Sequence, residues 1–306
     1  MANETIFTRY KNNPIIRADA VPGANSIFNS AVVRFGDGYV GVFRVDLQDA
    51  AHQLHLGRSK DGLKWEIEEK RINFKGNLQD NGLSGVGYDP RITEIEGEYY
   101  ITWCYYPGGG PCIGLGKTKD FKTFEQVAVT LLPYNRNAAL FPRKINGKYA
   151  ILHRPSDTGH TPFGDIYYAT SPDITNWGEH RFLLGPKSWW ESTKVGAGPA
   201  PIETSEGWLL IYHGVRTTCS GLVYCGGGAI LDLEEPWKVR YRSKKYLLAP
   251  SELYETTGDV PNVVFPNATV IAGDNLRLYY GAADTHVAVA DCKLGELIDF
   301  IKKNSE

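Results

Sequence analysis

Apolar positions are not scattered along this chain. They gather in five short runs of one design: GDGYVGVFR, EGEYYITWC, NGKYAILHR, SEGWLLIYH and GDNLRLYYG. Each opens on a glycine-containing turn and passes into a β-rich stretch. The first residue after the turn is Tyr39, Tyr99, Tyr149, Trp208 and Leu276 in succession, at intervals of 60, 50, 59 and 68. A second marker follows each run. A strand ends in an Asp-containing turn, often with an aromatic shortly after: LHLGRSKDGLKW, IGLGKTKDFKTF, IYYATSPDITNW, GAILDLEEPW and VAVADCKLGE. Asp61, Asp120, Asp173, Asp232 and Asp291 lie 59, 53, 59 and 59 apart. Short polar side chains stabilise such turns by bonding nearby backbone. An earlier strand precedes every glycine turn, in AVVRF, RITEI, LFPRKI, APIET and NATVI.

The repeating unit is therefore strand, glycine turn, strand, variable loop, strand, Asp-turn, strand. Four antiparallel strands repeated about a centre predict an all-β, five-bladed β-propeller. The competing reading is an irregular β-sandwich. One helix is predicted, at the C-terminus, where CKLGELIDFIKKN places Leu294, Leu297, Ile298 and Ile301 on one face. With no linker in view, residues 1–306 read as a single propeller domain.

Composition narrows the class. An apolar fraction of 42% and seven Trp can build a large core. The net charge of −2 implies no nucleic-acid partner. No run reaches the roughly 18 apolar residues of a membrane span, and MANETIFTRYKNNP lacks the apolar core of a signal peptide. Cys104, Cys112, Cys219, Cys225 and Cys292 are odd in number and form no CxxC pair. They read as free thiols in a reducing cytoplasm, without a metal site.

Five residues beyond each turn marker stand Arg44, Cys104, Arg154, His213 and Gly281, with Asp46, Tyr105, Tyr106 and Asp284 nearby. Any one buried Arg or His is commonly structural. Recurrence at equivalent places in a propeller, however, sets these residues at one height around the axis, so their polar ends converge. Ten residues before Tyr39 and Tyr99 come Asn29 and Asp89, and Arg136 and Lys194 fall just before the matching strands of the third and fourth units. Several cations facing few carboxylates suggest a bound anion, since Arg forks match phosphate oxygens and Lys adds a point charge. No Walker-type glycine loop accompanies them. Tyr88, Tyr105, Tyr106, Trp189, Trp190, Tyr212 and Tyr224 crowd the loops with flat faces suited to sugar rings, and one of the Trp189–Trp190 pair is expected at the surface.

Taken together, FNSAVV, GYDPRIT, NRNAALFPRKINGKYAILHRP, SPDITNWG, STKVGAGPAPI, GWLLIYHGV, GDVPNVVFP and YYGAADT resemble glycoside hydrolase family 130, the β-mannoside phosphorylases and related mannosidases. The resemblance runs from NNPII near residue 12 to AADT near residue 284. It implies a five-bladed propeller with one acid carboxylate, Asp89, which protonates the glycosidic oxygen through the 3-hydroxyl of the mannosyl ring. Inorganic phosphate is then the co-substrate and nucleophile, configuration inverts, and no cofactor takes part. Matched residue by residue, the phosphate set is Arg136, Arg154 and Lys194. The mannosyl-binding set is Asn29, Ser30, Arg44, Asp46, His213 and Asp284. Tyr88 and His160 match positions near the cleaved bond.

Most inverting glycosidases need a second carboxylate to activate water. The hydrolytic relatives lack the basic set and carry glutamates instead, so the three cations favour phosphorolysis over an inverting β-mannosidase. A non-catalytic sugar-binding propeller predicts no proton donor at the centre, contrary to Asp89. Arabinanase-like propellers show three acidic pocket residues, contrary to the Arg-rich set. The resemblance implies mannose, a mannooligosaccharide or glucose as the acceptor, and the short N-terminus favours a β-1,2 over a β-1,4 linkage. Some members use an N-terminal extension to assemble, so a homo-oligomer stays open.

Overall fold

The computed structural model describes residues 5–76, 86–106, 109–157 and 163–305. Five antiparallel sheets follow one another along the chain and form a ring. The first blade is Ala24–Phe35, Gly38–Leu47, His52–Ser59 and Glu66–Arg71. The second is Tyr88–Ile95, Glu98–Tyr105, Cys112–Thr118 and Phe124–Leu131, with Phe74–Lys75 added in parallel at its outer edge. The third is Asn135–Leu140, Tyr149–Pro155, Ile166–Ser171 and Gly178–Leu184. In the fourth, Lys194–Ala197 and Ile202–Thr204 share the innermost position, followed by Gly207–Thr218, Gly221–Leu231 and Val239–Arg242.

The fifth blade departs from the predicted order. Val264–Ala272, Asn275–Ala282 and His286–Lys293 come from the end of the chain, but the outermost strand is Thr8–Arg9 from its beginning. The ring is thus closed by a non-local pairing, Thr8 opposite Asp291 and Arg9 opposite Ala290. This corrects the reading of the fifth Asp marker. Asp291 lies within a strand, where its carboxylate takes a two-pronged ion pair from Arg277 at 2.9 and 3.0 Å. The other four markers are turns. Asp61, Asp120, Asp173 and Asp232 each accept two backbone N–H bonds from residues two and three places on, at 2.8–3.0 Å.

The near-continuous apolar runs follow from this packing. A blade presses against a neighbour on each side, so its middle strands are buried on both faces and need no polar alternation. Accordingly the core divides into five clusters, each between two adjacent blades. Phe43, Val45, Tyr279 and Val289 fill the seam between the fifth blade and the first. The C-terminal helix Leu294–Lys303 covers the seam between the fourth and fifth with Leu297 and Ile301, while Leu294 and Ile298 pack at its margin. A one-turn helix, Leu253–Thr256, was not legible in the sequence. Among the described residues no helix is long and apolar enough to cross a membrane.

An ionic clasp reinforces the closure. Arg9 grips the fully buried Glu255 carboxylate with Nε at 2.8 Å and Nη2 at 2.9 Å, and donates to the Ala249 carbonyl at 2.6 Å. Tyr280 Oη and the Ser251 and Glu252 amides also donate to Glu255. Removing one partner from such a pair strands a buried charge, at a cost of about 3–5 kcal/mol. Arg9→Met should lower unfolding stability by that order in denaturant titrations. Lys293→Met, which breaks the exposed pair with Asp274, should leave the midpoint close to wild type. Equal effects would show that the clasp does not secure the ring.

Candidate active site

The inner hairpins of the first three blades share one irregularity. Phe28 pairs with Arg44 and Ala31 with Val42, so Asn29 and Ser30 together face a single residue. The same two-for-one mismatch recurs between Tyr88 and Arg91 and between Arg136 and Ala139. In each bulge the first residue is left-handed: Asn29 at φ 42°, Asp89 at φ 52° and Asn137 at φ 54°. Asn and Asp are the side chains that tolerate this conformation best after glycine. Bulges re-aim side chains, and here all three residues line one central cavity of about 430 Å³.

Opposite the bulges, Arg44, Arg154 and His213 also reach this cavity. Cys104, at the equivalent place in the second blade, is buried and points its thiol at the Asn135 carbonyl. Gly281 occupies the fifth place because Asn29 needs the room: a Cβ there would stand 1.9 Å from Asn29 Oδ1. Arg136 and Lys194 do not precede their strands as the spacing suggested; both belong to them.

At one side of the cavity, Asp89 Oδ1 accepts from Asn29 Nδ2 at 2.8 Å and Arg44 Nη1 at 2.9 Å. Arg44 also grips Asp46 through Nε at 2.9 Å and Nη2 at 2.7 Å, and lies over the Phe28 ring. Burial works against the Arg44 charge, but Asp89 and Asp46 outweigh it and raise its pKa. Burial would likewise raise Asp46, yet His52, 2.9 Å away, and Arg44 hold it down at about 2. Asp284 lacks such support. Burial, followed by the neighbouring carboxylates acting against Arg44, lifts it to about 7.

The cations occupy another part of the wall. Arg136 donates to Tyr88 Oη at 3.2 Å, Tyr106 Oη at 2.7 Å, the Asp157 carbonyl at 2.7 Å and Ser156 Oγ. Arg154 is buried and donates through Nη1 to His213 Nε2 at 3.1 Å. Burial and then Arg154, Arg91 and Lys194 keep the His213 imidazole neutral, so its other nitrogen, Nδ1, carries the proton. Lys194, under the Tyr224 ring, is lowered to about 8 by burial and by Arg154 and Arg136. Among the described residues, neither Arg154 nor Lys194 has a carboxylate within ion-pair distance. Buried atoms without a protein partner include Arg154 Nε, His213 Nδ1, Asn29 Oδ1 and Asn137 Oδ1. Such atoms are uncommon, and here all four belong to residues that line the cavity.

Of the residues singled out from sequence, Asn29, Arg44, Asp46, Tyr88, Asp89, Arg136, Arg154, Lys194, His213 and Asp284 all line this cavity. Ser30 is buried behind it, its hydroxyl turned to the Phe28 carbonyl at 3.3 Å. His160 lies outside the described residues. Tyr106 and Tyr224 are in the wall, whereas Tyr105, Trp190 and Tyr212 are core and Trp189 is 58% exposed. Sequence reasoning missed Asn137, His52 and Asp259. Asn137 could have been found by aligning RNA with FNS and YDP. His52 and Asp259 follow no repeat marker.

A profile of glycoside hydrolase family 130, described as β-1,4-mannooligosaccharide phosphorylase, matches residues 3–303. The chain belongs to glycoside hydrolase family 130. It is 51% identical over 308 residues to the β-1,4-mannooligosaccharide phosphorylase of Ruminococcus albus, covering 98% of this chain and 92% of that one. To the β-1,2-mannobiose phosphorylase of Listeria innocua it is 38% identical over 249 residues, covering 80% and 67%. The solved complex of a Listeria innocua β-1,2-mannobiose phosphorylase with β-1,2-mannobiose superposes with a TM-score of 0.86 at 30% identity, over 97% and 99% of the chains. The family 130 propeller accounts for the five-blade ring and the central position of the cavity.

The Asp284 environment yields a stability test. Unfolded, this carboxyl loses its proton near pH 3.8; folded, it keeps it until about 7. The native state therefore binds the extra proton between those values, and stability falls as pH rises through that window. Asp284→Asn should remove this loss, matching wild type at pH 4 and exceeding it by about 2–4 kcal/mol at pH 8. Denaturant midpoints at both pH values measure it. Parallel curves for the two proteins would refute the burial argument.

Proposed function

We propose that the protein is an inverting β-mannoside phosphorylase, cleaving β-1,4-linked mannooligosaccharides with inorganic phosphate to release α-D-mannose 1-phosphate. One observation carries this reading. Two buried cations, Arg154 and Lys194, lack a carboxylate among the described residues and share a cavity with a bulge-borne acid, Asp89. Buried charge without a counter-ion is costly, and an anionic substrate supplies the counter-ion. Arg136 completes the cradle. Phosphate already carries charge, so its attack on the anomeric carbon needs no base. As the new C–O bond forms, the glycosidic C–O bond breaks. The Asp89 proton passes through the mannosyl 3-hydroxyl to the departing oxygen, and the proton brought by phosphate restores the acid through solvent.

Asn29, Arg44, Asp46, His213 and Asp284 hold the mannosyl ring in this scheme, with Tyr88 beside the broken bond. The neutral His213 imidazole adds no charge beside the sugar. The β-1,4 linkage is supported by the greater identity to the Ruminococcus albus enzyme, 51% against 38% for the β-1,2 relative. It replaces the β-1,2 preference drawn from the short N-terminus. A cytoplasmic location is part of the proposal and is supported by five cysteines that remain thiols.

Incubation with β-1,4- and β-1,2-mannobiose, with and without phosphate, tests the reading. Mannose 1-phosphate should appear from the β-1,4 substrate only when phosphate is present. Free mannose at equal rates in both buffers would instead establish a hydrolase.

Lys194 adds a pH signature. Its ammonium is charged below about pH 8, so kcat/KM for phosphate should fall as pH rises through that value. Lys194→Arg, charged throughout, should move this alkaline loss to higher pH. An unchanged profile would remove Lys194 from the phosphate site.

A further inference from the structure

The acid is held by a residue that never reaches the cavity. Asp89 is left-handed, and the proline that follows restricts its backbone further. Such a conformation persists only where surrounding contacts over-determine it. Asn29 and Arg44 hold the Asp89 carboxylate, and Arg91 holds its main chain. Arg91 Nη1 donates to the Asp89 carbonyl at 2.7 Å and, more weakly, to that of Pro90 at 3.4 Å. Its Nε donates to the Gly198 carbonyl at 2.8 Å and its Nη2 to that of Ala197 at 3.3 Å. Arg91 belongs to the second blade, and Ala197 and Gly198 to the fourth. These blades are not neighbours, so the guanidinium crosses the centre of the ring.

Arg91 is 2% exposed, and among the described residues its hydrogen-bond partners are all main-chain carbonyls. The Phe265 ring of the fifth blade lies 5.7 Å from its guanidinium carbon. From that blade Asn267 also donates to the Pro90 carbonyl, at 3.5 Å. Core packing alone would not select an arginine here, since burial opposes its charge and lowers its pKa to about 10. The strand it grips on the far side begins with Lys194.

We propose that Arg91 is a positioning residue that ties the main chain of the acid Asp89 to the Lys194 strand across the propeller axis, fixing the distance between proton donor and phosphate cradle. The inference rests on the assignments of Asp89 and Lys194 above. It predicts a loss in turnover with retained phosphate binding, because the cradle's own side chains are untouched. A misplacement of about 1 Å is enough to cost on the order of 100-fold.

The test uses Arg91→Met, Arg91→Lys and Arg91→Ala in the full chain, with Asp89→Asn alongside. Arg91→Met should lower kcat about 100-fold at a temperature where circular dichroism shows it folded, while phosphate still raises its melting temperature as in wild type. Arg91→Lys, with the charge but not the fork, should fall between. Added guanidinium ion should restore part of the turnover of Arg91→Ala, a recovery that a merely structural role would not give. If Arg91→Met does not fold, Arg91→Lys with the guanidinium arm decides. Turnover within threefold of wild type in a folded Met or Lys variant overturns the proposal, as does equal loss without guanidinium rescue. If Asp89→Asn keeps wild-type turnover, the acid assignment itself fails. If Asp89→Asn is inactive while Arg91→Met turns over normally, only the role of Arg91 fails.

Discussion

The site depends on a mismatch of two residues against one in the inner hairpins of the first three blades. A regular strand sends alternate side chains to its two faces, and in a propeller both faces are occupied by neighbouring blades. Without a bulge, Asn29, Asp89 and Asn137 would point into apolar seams. The left-handed turn lifts each of them out of the seam and toward the axis. The apolar packing on either side continues past it: Ala31 and Val42 resume the core directly after the first bulge. Polar chemistry at the centre and a dry core between blades are therefore compatible only because the irregularity is confined to so few residues.

Within the cavity, charge is sorted. Arg44 couples to Asp46 and Asp89, so that the carboxylates near the acid are largely neutralised by one guanidinium. Arg154 meets the neutral His213, and Lys194 lies under Tyr224. The protein thus leaves positive charge in reserve on one part of the wall. Glycines make this crowding possible. A Cβ at Gly196 would stand 2.6 Å from His213 Nε2 and 2.8 Å from Arg154 Nη1. The second residue after Lys194 must be bare for the Arg154–His213 contact to exist.

Much of the fold was legible because a propeller repeats a local rule. Buried strands of similar length, turned by glycine and capped by Asp turns, write the same pattern into each unit, and four of the five Asp markers are turns. The fifth was misread because the closing strand comes from the other end of the chain. A local pattern carries no mark of such a pairing. The cavity residues were legible to the extent that they sit at repeated positions: Arg44, Arg154 and His213 after the glycine turns, Asn29 and Asp89 before them. His52 and Asp259 sit at no repeated position.

By itself, then, the sequence determined the repeating strand pattern, the ring it implies, and most of the side chains that meet at its centre, since period and register are local properties that recur. Which aromatics face the cavity was decided by tertiary structure: Tyr105 and Tyr106 are adjacent in the chain, yet one is core and the other wall. So was the state of each charge. Asp46 and Asp284 are both cavity aspartates, but one is held at about 2 by its partners and the other is raised to about 7 by burial. The span between Arg91 and Gly198 joins residues 107 positions apart. Such contacts arise only once the blades have closed, because burial and distance across the axis are properties of the ring and not of any one strand.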